Sequence, residues 1–190
     1  SERLEQLFED QQAEIVAARS ALDERLGALK ELFGVLQTVS GDTQGRFSNS
    51  LTNIQFPDRG EFLVELGGKM AGASTLASIE DIEQLWYLLQ QEVVESGKIV
   101  RFNHTVTRAN GEEQQMDIVR VGTFNLAFED CYLQYDPSTS RVSELQRQPE
   151  QGRFTSSASA LTSATTSPVT FGIDITRGGI LALLVESPTI

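Results

Sequence analysis

The chain has 190 residues, 39% hydrophobic and 22% charged, a composition that predicts a folded globular protein and not a disordered one. Its net charge of −12 argues against nucleic acid and anionic lipid as partners, because binding phosphate requires clustered lysine and arginine. The single cysteine, Cys131, excludes an internal disulfide and a cysteine-based metal site.

Residues 1–40 carry a heptad pattern, which predicts the end of a longer coiled coil because the pattern runs from the first residue. The alternative is an amphipathic helix that lies on the rest of the protein. Self-association through residues 1–38 is expected from this seam, in which Gln11 and Arg25 could set the register. The seam residues are Leu4, Phe8, Gln11, Ile15, Ala18, Leu22, Arg25, Leu29, Leu32 and Leu36.

Residues 41–190 are predicted to form a globular α+β domain. Ser40-Gly41-Asp42 is expected to break the first helix, and a second helical stretch follows up to Phe56-Pro57. Pro57 then opens a third short helix, since proline suits the first helical turn, and Gly67-Gly68 is expected to end it. Residues 67–77 have no GxxxxGK[ST] pattern, so we interpret them as a connection and not as a phosphate loop.

The next helix is the clearest element of the sequence. Ser78 and Asp81 have the spacing of a capping box, and Gly97 is expected to end the helix in a left-handed conformation. Its apolar residues recur at helical spacing and are Ile82, Leu85, Trp86, Leu89 and Val93.

Two alternating strands follow, joined by Asn110-Gly111. This dipeptide favours a two-residue type I′ turn, because both central residues of that turn need a positive φ. Such a turn fixes the register of the hairpin and puts two apolar pairs on one face. The predicted cross-strand pairs are Phe102 with Val119, Val100 with Val121, and His104 with Asp117.

The remaining pattern predicts more short strands. Residues 131–135 and 141–145 are predicted to extend the hairpin into an antiparallel meander, and residues 169–173 are predicted to form another strand. Residues 149–167, rich in Ser, Thr and Ala, predict a weak helix or a surface loop. The predicted fold is therefore α+β, with a long N-terminal coiled-coil-like helix and short helices packed on a small antiparallel meander.

No set of side chains in the sequence marks an active site. His104, the only histidine, faces Asp117 in the predicted register and could form half of a triad, but no nucleophile motif is near. An acidic neighbour would raise the pKa of Cys131 and make it unreactive. The acidic clusters around Glu80 and Glu112 lack the spacing of an EF-hand. We therefore expect a protein that is no enzyme and binds no metal or cofactor.

Two large side chains stand next to each other on the central helix, Trp86 and Tyr87. We expect Trp86 in the core. Since adjacent helical residues point in different directions, one of the two must turn outward or the helix must be covered on two sides. An exposed aromatic residue here is a candidate for contact with a partner protein, because such residues anchor interfaces.

A string of motifs resembles the periplasmic region of the TtpC-type extended members of the MotA/TolQ/ExbB proton-channel family. The resemblance covers most of residues 28–190. The motifs, in order, are LFGVLQTVSGD, SNSLTNIQFPDRGEFL, IEDIEQLWYLLQQEVVESGKIVRF, IVRVGTFN, YLQYDPSTSRVSEL and DITRGGILALLVESPTI.

The resemblance implies a periplasmic interaction domain of an inner-membrane protein that energises TonB-dependent uptake of iron carriers. The expected partners are the TonB-, ExbB- and ExbD-like proteins of that complex, and outer-membrane receptors. The channel part falls outside this sequence, so no proton-conducting residue is carried over, and the chain is expected to be a fragment. The alternatives are a cell-envelope scaffold without a transport role and a hydrolase with an unrecognised site.

Overall fold

The computed structural model describes residues 2–71, 77–177 and 179–181. Among these residues, three α-helices and a 3₁₀ helix precede the five strands, and one α-helix follows them. The helices are α1 Glu2–Ser48, α2 Arg59–Ala71, α3 Ile79–Ser96 and α4 Gly152–Ser163, with a 3₁₀ helix at Leu51–Ile54. The strands are β1 Ile99–Thr107, β2 Glu113–Val121, β3 Asn125–Phe128, β4 Cys131–Asp136 and β5 Arg141–Glu144.

The five strands form a closed barrel, so the predicted meander is wrong. Neighbouring strands from β1 to β5 pair antiparallel, as in a meander. A short parallel junction then joins the last strand to the first, with Val106 beside Val142 and Thr107 beside Ser143. Closure covers part of the edges that an open meander would expose.

The β1–β2 hairpin differs from the prediction by one residue in register. Thr107 pairs with Glu113, and five residues lie between them. The amide of Gly111 donates to the carbonyl of Arg108 at 2.9 Å, and only Gly111 in the turn has a positive φ, of 87°. This is a type I turn followed by a left-handed glycine, and the longer loop shifts the register. Phe102 therefore pairs with Ile118.

Strand β2 is buried on both faces from residue 118 to 121, whereas residues 113–115 and Asp117 are exposed. Met116 and Ile118 belong to an apolar cluster with Leu126 and Leu133 on the same face of the neighbouring strands. Val119 and Val121 alternate with them and pack in a second cluster, which contains Ala158 and Leu161 of α4. Residues 149–167, whose packing the sequence left open, thus include the helix that covers the outside of the barrel.

Helix α1 is one uninterrupted helix that extends past the predicted break at residues 40–42. Its C-terminal part packs on α2 and α3 of the same chain, where Leu36 and Phe47 join a cluster with Leu63 and Leu85. The prediction of a coiled coil is wrong for the described residues, because the end of the seam, at Leu36, packs on these short helices of the same chain. Seam residues nearer the N-terminus are exposed, among them Phe8, Ile15, Leu22, Leu29 and Leu32.

Three smaller expectations also differ from the structure. Helix α2 continues through Gly67-Gly68, and Gly97 ends α3 with a right-handed φ of −90°. Residues 169–173 form no strand, and the ring of Phe171 stacks on Tyr132 with ring centroids 5.3 Å apart. The final apolar segment at 180–185 lies outside the described residues from position 182 onwards.

Candidate protein-binding face

Helix α3 begins at a complete capping box, as the sequence predicts. The Asp81 amide donates to the Ser78 hydroxyl at 3.1 Å, and the Ser78 amide donates to the Asp81 carboxylate at 3.0 Å. The ammonium of Lys69, on α2, lies 3.3 Å from the same carboxylate. The hydrogen bond from the Ser78 amide, together with Lys69, holds the pKa of Asp81 below its usual value. The N-terminus of α3 is thus fixed in position relative to α2.

The inner face of α3 combines apolar packing with two acidic side chains. Leu85 and Leu88 are buried against Leu36, Leu63 and Leu66 of α1 and α2. One and two turns further along this face stand Glu92 and Glu95. Buried carboxylates need partners, and each of these two has an arginine.

The carboxylate of Glu92 is held by three side-chain hydrogen bonds. Ser50 and Thr52 each donate a hydroxyl hydrogen bond at 2.5 Å, and Arg59 donates at 2.9 Å. The Arg59 guanidinium also donates to the Thr52 hydroxyl and lies 4.3 Å from the ring centroid of Phe47. Burial opposes ionisation of Glu92, but these hydrogen bonds and the Arg59 charge outweigh it and lower its pKa. Glu92 therefore ties α3 to the 3₁₀ helix and to α2.

Glu95 joins α3 to the barrel through Arg120. The guanidinium of Arg120 is fully buried and donates to the Glu95 carboxylate at 2.8 Å. It also donates to the side chain of Gln55 and to the backbone carbonyls of Glu95 and Gly122. Burial disfavours the charged form of Glu95, while Lys98 and Arg120 stabilise it, and its pKa is lowered. One arginine thus links β2, α3 and the residue after the 3₁₀ helix.

The outer face of α3 is exposed and mostly apolar, with Glu83 and Gln90 among its apolar residues. Trp86 is 63% exposed and Tyr87 is 54% exposed, so the expectation that Trp86 lies in the core is wrong. At 3.6 residues per turn these side chains fall within one side of the helix, opposite Leu85 and Leu88. The exposed apolar residues of this outer face are Ile79, Ile82, Trp86, Tyr87, Val93 and Val94. A helix with apolar residues on two opposite faces is normally covered on both.

An open cleft of about 610 Å³ lies beside the inner end of α3. It is formed by the last turns of α1, the loop after it, Glu92, Thr123 and Arg177. The side chain of Arg177 donates a hydrogen bond to the carbonyl of Asn49 and so ties the C-terminal segment to the end of α1. The charged lining residues, Asp42, Arg46, Glu92 and Arg177, are of both signs.

The structure does not bring the predicted catalytic pair together. In the observed register His104 pairs with Met116, and Asp117 pairs with Asn103, whose amide donates to it at 3.1 Å. Partial burial lowers the pKa of His104, and its ring packs edge-on against Phe102. Burial and the neighbouring Asp130 raise the pKa of Cys131 to about 11, as expected for an unreactive thiol.

The arginine partners of α3 were missed in the sequence, although a signal for them exists. Glu92 and Glu95 continue the line of Leu85 and Leu88 at helical spacing, and Arg120 interrupts an apolar run in β2. A charged residue in a buried line predicts a buried partner of opposite sign. The sequence alone does not say which arginine faces which glutamate.

Comparison with known proteins adds no family to this picture. No family model, curated protein or solved structure matches the chain. None of the helices in residues 2–71, 77–177 and 179–181 combines the length and hydropathy of a membrane-spanning segment. Within the same residues, no three His, Cys, Asp or Glu side chains are grouped so that they could hold a metal ion. The resemblance to the proton-channel family therefore stays a prediction.

Proposed function

We propose that this chain is a periplasmic protein-interaction domain of an inner-membrane TonB-energising complex, and that it binds its partners through the outer face of α3. The observation that carries the binding role is the exposure of six apolar side chains, including Trp86 and Tyr87, on a helix whose other face is already packed. Aromatic residues in this setting are typical binding hot spots.

The identity of the complex comes from the motif resemblance and not from the geometry. The α3 segment is itself part of the longest motif, IEDIEQLWYLLQQEVVESGKIVRF. In this proposal the domain couples the energising machinery to TonB-dependent uptake of iron carriers by contacts alone. It needs no catalytic residue or cofactor, and its partners are the ExbB-, ExbD- and TonB-like proteins, with outer-membrane receptors as further candidates.

The test is capture of the periplasmic parts of these partners on the immobilised chain. We expect at least one of them to bind, and a Trp86→Gln/Tyr87→Gln variant to bind at least about tenfold more weakly, the loss typical of a hot spot. Val64→Gln is the matched control, since Val64 on α2 is 61% exposed but lies outside the outer face of α3. Failure of every partner to bind, or equal binding by the double variant, would contradict the proposal.

A cell-envelope scaffold is the second candidate, and the exposed apolar line on α1 favours it. Phe8, Ile15, Leu22 and Leu29 recur every seven residues and are exposed. In this alternative the chain self-associates through residues 1–38 and has no transport role. Sedimentation of the intact chain and of a Phe8→Gln/Ile15→Gln/Leu22→Gln variant tests it. A mass above the monomer that the triple variant loses would support self-association, and a monomer in both would contradict it.

A further inference from the structure

The outer face of α3 has a defined length. From Ile79 to Val94 it covers 15 residues of rise, or about 22 Å along the helix axis. This is room for about four turns of a second helix packed alongside. Strand addition needs an exposed sheet edge, and the backbone hydrogen-bonding groups of α3 are already paired within the helix. The geometry therefore favours a helix as the occupant of this face.

The charged residues of α3 itself are all acidic. Helix α3 contains no lysine or arginine. Its remaining acidic residues, Asp81, Glu92 and Glu95, face α2, the 3₁₀ helix and the barrel, where each is paired with a cation. Glu80 and Glu83 are exposed in the first two turns, and Glu83 forms no ion pair among the described residues. A partner that covers the apolar residues would be attracted by basic groups at this end of the helix.

We infer that the outer face of α3 binds an amphipathic helix of a partner protein, with lysine or arginine flanking its apolar side and placed over Glu80 and Glu83. This inference rests on the proposed function, because it names the chemistry of the partner at the same surface. A lipid surface is disfavoured, since anionic headgroups would meet two glutamates on a chain with a net charge of −12.

Trp86 is a built-in reporter, because it is the only tryptophan of the chain and lies within the face. The probes are three synthetic peptides of about 15 residues, the length that matches the face. One places leucine at helical spacing with lysine flanks, the second replaces every lysine with glutamate, and the third scrambles the first. We expect the lysine peptide to shift Trp86 emission to the blue and to bind at least about tenfold more tightly than the other two.

Reversing one charge on the protein distinguishes two effects. One is the contact between the peptide and Glu83, and the other is the general attraction of a basic peptide to an acidic chain. Glu83→Lys is expected to weaken the lysine peptide at least about threefold and to strengthen the glutamate peptide, since local charge pairs set specificity. Glu61→Lys on α2 changes the net charge equally but lies outside α3, and it should leave both affinities within about twofold of the wild type.

The inference is overturned if the scrambled or glutamate peptide binds as tightly as the lysine peptide. It is also overturned if the two lysine substitutions have equal effects, or if vesicles of anionic lipid shift Trp86 emission and the peptides do not. Capture of the complex partners is a separate result. It can succeed while the lysine and glutamate peptides bind equally, which would remove this inference and leave the proposed function standing.

Discussion

The barrel and helix α3 differ in how completely their apolar side chains are buried. The second half of strand β2 buries both of its faces, with Ile118 on the inside and Val119 under α4. Helix α3 also has two apolar faces, but only the one with Leu85 is covered by described residues, and the one with Trp86 is exposed. The fold is therefore complete without the outer face of α3, whose residues can change without loss of the core.

Two largely buried arginine–glutamate pairs, here called the joint, hold α3 in place beside its apolar contacts. Arg120 with Glu95 joins α3 to the barrel, and Arg59 with Glu92 joins it to α2. Pairs of this kind position elements specifically, but breaking one leaves a buried charge without its partner. The comparison thus predicts that substitutions lower the free energy of unfolding most at the joint, less inside the barrel, and least on the outer face of α3.

The largest effect is expected from Arg120→Met. The substitution leaves the Glu95 carboxylate with only the half-exposed Lys98 as a partner, and it removes the hydrogen bonds of Arg120 to Gln55 and two backbone carbonyls. We expect a loss of about 3 to 5 kcal/mol of unfolding free energy. Urea unfolding followed by circular dichroism measures it. The double variant Arg120→Met/Glu95→Gln should recover part of the loss, because it removes the stranded charge. A single variant within about 1 kcal/mol of the wild type would show that the pair does not anchor α3.

Truncation inside the barrel comes next. Leu126 is fully buried, and Leu126→Ala should cost about 2 to 5 kcal/mol through lost burial and the cavity that remains. The matched control is Val93→Ala on the outer face of α3, where the side chain is 66% exposed and the change should stay within about 0.5 kcal/mol. Equal losses at both positions would mean that the outer face is covered within the chain.

Acid is expected to weaken the two ion pairs of the joint before it affects the barrel. The pKa of Glu92 is lower in the folded chain than its ordinary value of 4.5, so its ionised form stabilises the fold above that value. This contribution is lost as the pH falls below 4.5 and through the lowered pKa, and Glu95 behaves in the same way. The urea midpoint should therefore decrease in this range. The decrease should be smaller in Glu92→Gln, and an identical pH profile in the variant would contradict the assignment.

The smallest effect on stability is expected at the proposed binding residues themselves. Trp86→Gln and Tyr87→Gln should each change the unfolding free energy by no more than about 0.5 kcal/mol, because both side chains are more than half exposed. Thermal unfolding checks this directly. A clear loss of stability would assign Trp86 a structural role, and any loss of partner binding could then no longer be attributed to the face alone.

Local signals in the sequence predicted local structure well. The Ser78–Asp81 capping box marks the start of α3, and the hairpin strands lie where the alternating residues indicate. The predicted register was wrong because the Asn110-Gly111 pair sits in a longer turn, in which only the glycine has a positive φ. One extra residue in such a loop moves every cross-strand pair.

Features that depend on distant contacts could not be predicted. Closure of the barrel requires β5 to pair with β1, and nothing in either segment alone specifies the pairing of Val106 with Val142. The glycine pair at 67–68 did not stop α2, since tertiary context overrides propensity. The candidate site also depends on distant contacts. The sequence indicates Trp86 as a candidate contact, but whether its side chain is exposed depends on how α1 and α2 cover α3.

Quenching of Trp86 fluorescence by acrylamide, in the free chain and in the presence of each captured partner, tests the central claim most directly. The free chain should be readily quenched, because the single tryptophan is exposed. A bound partner should reduce the quenching constant several-fold and shift the emission to the blue. A partner that binds while Trp86 stays as accessible as in the free chain would contradict the assignment of the outer face of α3.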